Sequence, residues 1–186
     1  SYLALDTQSE ALSLARENAR RLGVDRAVAF AGVSPADAVA ARTADCVPVL
    51  VAHPPTGDVA AIHAGWRGAV AGVVPNALRA LAHPPSELII AIGPHIRVAA
   101  FEIGEDVARE LERVGGSSSV QRVPGEKPHG NLVVLIRTQL ESVGVPNASV
   151  DDVGGCTYSN AANFFSHRRD RGRTGRAATR NARIRV

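Results

Sequence analysis

TADCVPVLVAHPPTGDVAAIHAGWRG, residues 43–68, holds two short apolar runs on either side of one turn. Cys46–Ala52 has strand length and β-branched character, and Val59–Ile62 is a second such run. The link HPPTGD carries two prolines and a glycine, which break regular structure. This pattern predicts a β-hairpin with a loop longer than the tightest two-residue turns. Cys46 stands at the start of the first run. His63 closes the second, directly before Ala-Gly-Trp-Arg-Gly, which reads as a loop.

Working outward, QSEALSLARENARRLG (8–23) reads as an amphipathic helix. Leu12, Ala15, Ala19 and Leu22 recur at spacings of three and four, and Gly23 fits a C-cap. Residues 29–42 are ambiguous, being alanine-rich but broken by Pro35. Val70–Leu81 has helical spacing, with Pro75 tolerable only near its first turn. Glu87–Ile92 predicts a buried strand stopped by Gly93-Pro94. Ile103–Val114 predicts a helix with Glu105 and Asp106 in its first turn, which favours the helix dipole, and with Gly115 at its end. A polar loop follows over 115–131, then a helix over Leu132–Val143 and a strand over Ala148–Val153. No internal repeat is visible. Strands alternate with helices, so the expected class is α/β with mixed sheets, in one domain spanning 1–186.

Composition narrows the class further. With 186 residues and 45% hydrophobic content, the chain can bury an ordinary core. No apolar run approaches the roughly 20 residues needed to cross a bilayer, and SYLALDTQSE lacks the features of a signal peptide. The expectation is a cytoplasmic protein with no membrane partner, monomeric or homodimeric. Two cysteines, Cys46 and Cys156, are a weak disulfide signal, so both are expected as thiols. The net charge of +3 is uneven, because residues 167–186 carry eight arginines against one aspartate. Such a run suits anionic ligands or a solvated surface. Aromatic content of 4% provides no stacking platform, so nucleic acid is not the favoured partner. The chain has no Met and starts on Ser1, which reads as a trimmed record of a longer protein.

Cys46 and His63 sit at the margins of adjoining predicted strands. A thiolate and an imidazole there suit zinc, or a thiolate–imidazolium nucleophile pair. They also suit a buried small thiol beside a hydrogen-bonded loop histidine, and spacing alone does not choose. Asp45 would point away from Cys46 on a strand, or cap a turn. Arg67, flanked by Gly65 and Gly68, can clamp a phosphate or carboxylate. Trp66, the single tryptophan, suits a core anchor or a wall against a base.

RTADCVPVLVA, AAIHAGWRGAVAGVV, AIGPHI, FEIGEDV and CTYSNAANFFSHRRDRGRTGR, in this order, resemble the laccase-domain family. Its members have been called multicopper polyphenol oxidases, YfiH-like purine nucleoside phosphorylases and peptidoglycan editing factors. The resemblance covers most of residues 40–180 and implies a layered αββα sandwich with a surface zinc site. It implies Cys46 and His63 as metal ligands, matching the cysteine of TADC and the histidine of HAGWRG. The family's further histidine, in an upstream Gln-Val-His segment, has no counterpart, since no histidine occurs before His53. Its N-terminal arginine loop is missing too. These departures imply a lost ligand or omitted N-terminal and internal segments, and they leave the third metal ligand unidentified. His95 stands where relatives carry cysteine after Gly-Pro, and Ser159 where they carry a second cysteine. His95 is expected as a solvent-facing loop residue or an extra polar group near the site.

The activity that the resemblance implies is phosphorolysis of adenosine or inosine to the base and ribose 1-phosphate, with inorganic phosphate as co-substrate and zinc as cofactor. Adenosine deamination is a second implied activity. Arg67 is the first expected phosphate holder, with Arg168, Arg169 and Arg173 behind it. Asp45 is expected to be catalytic or to orient a ligand, and His129 to contact the base. Three rivals stand beside this reading: copper-dependent oxidation of phenols, editing of a peptidoglycan precursor, and an inactive binding protein. Six scattered histidines without a His-x-His pair do not suit a multicopper cluster.

Overall fold

In a computed structural model of the protein, residues 20, 28–31 and 38–182 are described. The elements are β1 (Val28–Ala31), β2 (Ala38–Thr43), β3 (Val47–His53), β4 (Asp58–Ala64), α1 (Trp66–Val70), α2 (Val73–Leu81), β5 (Ile89–Ile92), α3 (Glu105–Gly115), β6 (Val120–Gln121), β7 (His129–Gly130), α4 (Leu132–Ser142), β8 (Val150–Asp152) and β9 (Ala177–Ala182). The expected helix over 8–23 lies outside the described residues, apart from Arg20.

The expected hairpin forms. β3 and β4 pair antiparallel from Val47 opposite Ala64 to His53 opposite Asp58. They lie at the centre of a five-stranded sheet ordered β1-β4-β3-β5-β8, antiparallel except for the β5–β8 pair. Both central strands are covered on both faces, which explains why their sequences run apolar instead of alternating. Val47, Val49 and Val51 with Ala60, Ile62 and Ala64 face α1–α4 in the main core. Leu50, Ala52, Val59 and Ala61 face the other way and pack with Ala41 of β2. β2 and β9 form a separate antiparallel ribbon over that second face. The described layers are thus helices, a five-stranded sheet and a two-stranded ribbon, an open mixed-sheet fold in a single domain. Each fully buried valine of β3 contributes roughly 1.5–3 kcal/mol.

HAGWRG is not a loop: His63 and Ala64 finish β4, Gly65 is extended with φ −74°, and a helix starts at Trp66. The helix predicted over Val70–Leu81 is broken, because Gly72 takes a left-handed φ of 78° between α1 and α2. Pro75 then falls in the first turn of α2, where its missing N–H breaks no helical bond. The 115–131 segment is no featureless loop, since Val120 pairs with Gly130 and Gln121 with His129. Gly130 has no room for a side chain there: a Cβ would lie 2.8 Å from Phe101 and 2.9 Å from Leu111.

The remaining helices behave as their sequences predict. α3 buries Ala108 and Leu111 and keeps its acidic first turn. α4 is capped by Asn131, whose side chain accepts from the Val134 N–H at 3.3 Å, and its Gln139 donates to the Ala69 carbonyl at 2.7 Å. That bond ties α4 to α1, directly behind the strand ends that carry Cys46 and His63.

Candidate functional site

At the Cys46 end of the β3–β4 hairpin lies a cavity of about 640 Å³. Its floor is Ala44, Asp45 and Cys46 before β3, His63 near the end of β4, and Trp66 and Arg67 opening α1. The far wall is Ile96, Phe101, Glu102, Ile103, Gly104, Val107 and Leu132. Lys127, His167, Arg168, Gly172, Thr174 and Arg176 complete it.

Cys46 and His63 share this cavity because of hairpin register. Val47 pairs with Ala64 and Pro48 with His63, so Cys46 falls beside Gly65. A Cβ built on Gly65 would lie 3.0 Å from the Cys46 sulfur, so glycine leaves that sulfur its space. Burial, with the Asp45 carboxylate beside it, pushes the Cys46 thiol up, while Arg176 opposes. Burial and then Arg176 push the His63 imidazole down. Both effects favour the neutral ring, the form in which a ring nitrogen binds a metal.

Asp45 adopts φ +83°, which aims its side chain back across the chain. Its Oδ1 accepts from Thr157 Oγ1 at 2.7 Å and its Oδ2 from the Arg168 backbone N–H at 2.6 Å. Its own carbonyl accepts from Ile96 N–H at 3.0 Å. One residue thus joins the strand start to both loops that wall the cavity.

The arginines separate by environment. Arg67 is exposed on the cavity with its guanidinium 4.4 Å from the Trp66 ring centre. Arg168 lines the cavity, donates to the Glu102 carbonyl at 2.7 Å and lies 5.5 Å from the Phe101 ring centre. Arg169 turns inward instead, donating to the carbonyls of Thr157, Tyr158 and Phe164 at 2.7–3.1 Å and pairing with Asp170. It is the internal brace of the loop. Arg173 is exposed and outside the cavity lining.

His95 is not a solvent-facing residue. It is 1% exposed, outside the lining, and shares a hydrogen bond between Nδ1 and the Gly93 carbonyl at 2.8 Å. Burial lowers its pKa, against the pull of the Gly93 bond. His129 also lies outside the lining, its Nδ1 2.8 Å from the Val98 carbonyl. Ser159 Oγ lies 3.5 Å from the Cys156 sulfur, and both cysteines are free thiols.

Four ionisable cavity residues carry no expectation from the sequence: Glu102, Lys127, His167 and Arg176. His167 and Arg176 sit inside SHRRDRGRTGR, where the clustered arginines were the visible signal. Glu102 lies in FEIGEDV without being singled out there, and Lys127 carries no local signal; they meet at 2.8 Å because β7 returns beside Phe101. The Lys127 hydrogen bond lowers the Glu102 pKa. Positive groups outnumber negative ones around the cavity, and both carboxylates are already engaged. The surface therefore favours an anion.

A catalytic zinc takes three protein ligands and one open position. Cys46 and His63 supply a sulfur and a neutral nitrogen of the right chemistry. Among the described residues no set of three His, Cys, Asp or Glu donors within 4.8 Å of one another includes Cys46 or His63. Both are donor types that zinc takes, and the described residues complete no set of three around them.

With this geometry in hand, the chain can be set beside known proteins. The family described as multi-copper polyphenol oxidoreductase laccase matches residues 8–182. A protein of Shigella flexneri named purine nucleoside phosphorylase YfiH is 37% identical over 155 residues, covering 83% of this chain and 63% of the relative. The crystal structure of Neisseria meningitidis protein NMB0706 superposes with a TM-score of 0.74 at 36% identity, over 82% of this chain and 62% of that one. YlmD from Geobacillus stearothermophilus superposes with a TM-score of 0.78 at 30% identity, over 86% and 61% respectively. The chain thus spans less than two thirds of the length of each.

Proposed function

The chain belongs to the multi-copper polyphenol oxidoreductase laccase family, and from that membership we propose that it serves the phosphorolysis of purine nucleosides. What supports the reading beyond relatives named purine nucleoside phosphorylase is one feature. A cavity large enough for a nucleoside carries a surplus of guanidinium groups over a floor holding a thiol and a neutral imidazole.

An oxygen of phosphate bonds to the anomeric carbon of the ribose as the carbon–nitrogen bond to the purine breaks. The bonding pair leaves with the base, which takes up a proton, and ribose 1-phosphate remains. Arg67 binds the phosphate, since its planar fork can hold two oxygens at once while its guanidinium lies over the Trp66 ring. Arg168 and Arg176 add positive charge across the cavity. Arg169 and Asp45 act as positioning residues, the first bracing the loop that carries Arg168 and the second fixing its backbone. The apolar wall of Phe101, Ile103 and Leu132 excludes water from the departing base.

Cys46 and His63 would hold a zinc ion there as two of its ligands. Zinc supplies charge stabilisation at an oxygen without redox change. Copper oxidation finds less support, because only His63 and His167 of the histidines line the cavity, too few for a multicopper cluster.

Chromatography of adenosine and inosine incubated with the protein, with and without phosphate, tests the reading. Free base and ribose 1-phosphate formed only with phosphate is the expected result, and inosine formed from adenosine registers deamination. No phosphate-dependent release of base overturns the proposal. The protein is placed in the cytoplasm on this reading, and no helix among the described residues is long and apolar enough to cross a membrane.

A further inference from the structure

The opposite end of the same hairpin carries a second cluster of polar side chains. His53 ends β3, Asp58 begins β4 and His83 follows α2. The six steps from Val47 to His53 place this cluster about 20 Å from the cavity floor along β3. The three residues offer donor atoms all within 4.8 Å of one another. The His53 and His83 rings stack at 3.7 Å with an interplanar angle of 9°.

Hydrogen bonds orient these groups. Asp58 Oδ2 accepts from Thr56 Oγ1 at 2.8 Å and pairs with His83 Nε2 at 2.7 Å. With its proton directed at Asp58, the Thr56 oxygen is left to accept from His53 Nδ1 at 2.8 Å. His53 Nε2 meets Glu87 Oε2 at 2.9 Å. The other carboxylate oxygen of Asp58 is buried with no hydrogen-bond partner, although the residue is only 5% exposed. Orphaning a buried carboxylate oxygen is costly, and such an atom calls for a missing ligand, water or ion. Two imidazoles and a carboxylate at one point are the donor types that zinc-class ions select.

We propose that His53, Asp58 and His83 bind a divalent transition-metal ion of the zinc class, with the half-exposed Glu87 carboxylate on its open side. Tetrahedral bonds of about 2.1 Å bring neighbouring ligand atoms to roughly 3.4 Å. Ring lone pairs lie in the ring planes, so two parallel rings do not both point at one ion; binding opens the stack and exchanges the bonds within the cluster for coordination. Asp58 Oδ1 gains the partner it lacks. The ion clamps the hairpin turn to the segment after α2, joining residues 25 apart in sequence. The site is independent of the cavity and of the reaction proposed there.

Cobalt(II) is the probe that separates the two ends of the hairpin, because only a thiolate ligand produces a sulfur charge-transfer band. Metal-free protein carrying Cys46→Ser is titrated with cobalt(II), then with zinc in competition. One equivalent should bind with a ligand-field spectrum of nitrogen and oxygen donors, without the sulfur band, and zinc should raise Tm. Asp58→Asn and His83→Gln, each added to Cys46→Ser, should weaken cobalt(II) binding at least tenfold. Circular dichroism establishes which of the two variants is folded, and either one suffices. Absence of cobalt(II) binding by Cys46→Ser at submillimolar metal overturns the proposal. So does unchanged affinity in a folded variant of Asp58 or His83.

Discussion

Asp45 Oδ2 accepts the backbone N–H of Arg168 at 2.6 Å, across 123 residues of sequence. The same carboxylate accepts the Thr157 hydroxyl, so the loop that supplies a cavity arginine hangs from the strand that supplies Cys46. Hydrogen bonds to a charged acceptor contribute about 1.5–3 kcal/mol each. Asp45→Ala removes both and places a Cβ-bearing residue without a side-chain partner at φ +83°. The expected loss is about 3 kcal/mol in urea unfolding, together with loss of phosphorolysis. Thr157→Val, which removes only one bond, should lose about half as much, roughly 1.5 kcal/mol. Equal stability of Asp45→Ala and the parent protein would contradict the clamp.

Arg67 is exposed and its guanidinium lies over the Trp66 ring, so its removal should leave the fold intact. Arg67→Ala should raise KM for phosphate tenfold or more, equivalent to about 1.4 kcal/mol. KM for the nucleoside should move less. Arg67→Lys should restore only part of the loss, since an ammonium cannot present the fork. Initial rates at varied phosphate measure this, and an unchanged phosphate KM removes Arg67 from that role.

Gly65→Ala tests the floor of the cavity. The added methyl would sit 3.0 Å from the Cys46 sulfur, while φ −74° suits alanine well. The backbone is therefore unstrained and the sulfur must move. Thermal unfolding should change little, whereas zinc affinity at the cavity should fall at least tenfold, as read by chelator competition. If metal binding survives at full strength, Cys46 is not a ligand.

His95 predicts how stability depends on pH. Burial holds its pKa below the ordinary value of 6.5. Below about that pH the unfolded chain takes up a proton that the folded chain refuses, so stability falls as pH falls from 7 towards 5. His63 shifts in the same direction. Each group contributes at most about 1.4 kcal/mol per pH unit. Urea midpoints at pH 7, 6 and 5 should decline, and His95→Gln should flatten the decline. A slope identical to that of the parent protein would remove His95 as its source.

The amino-acid sequence alone was enough for the β3–β4 hairpin, for α3 and α4, and for Cys46 and His63 as residues at adjoining strand ends. These are properties of neighbours: apolar runs, a Pro-Pro-Thr-Gly turn, acidic first turns and terminal glycines act within a few residues. Strand register then carried Cys46 and His63 to one cavity without further information. Tertiary structure alone decided that Arg168 lines the cavity while its neighbour Arg169 turns inward to three carbonyls. It also decided that His95 is buried, that Glu102 meets Lys127, and that His53 stacks on His83. Each of those contacts joins segments whose meeting depends on how sheet, ribbon and returning loops pack, and long-range packing leaves no periodicity for a local reading to find.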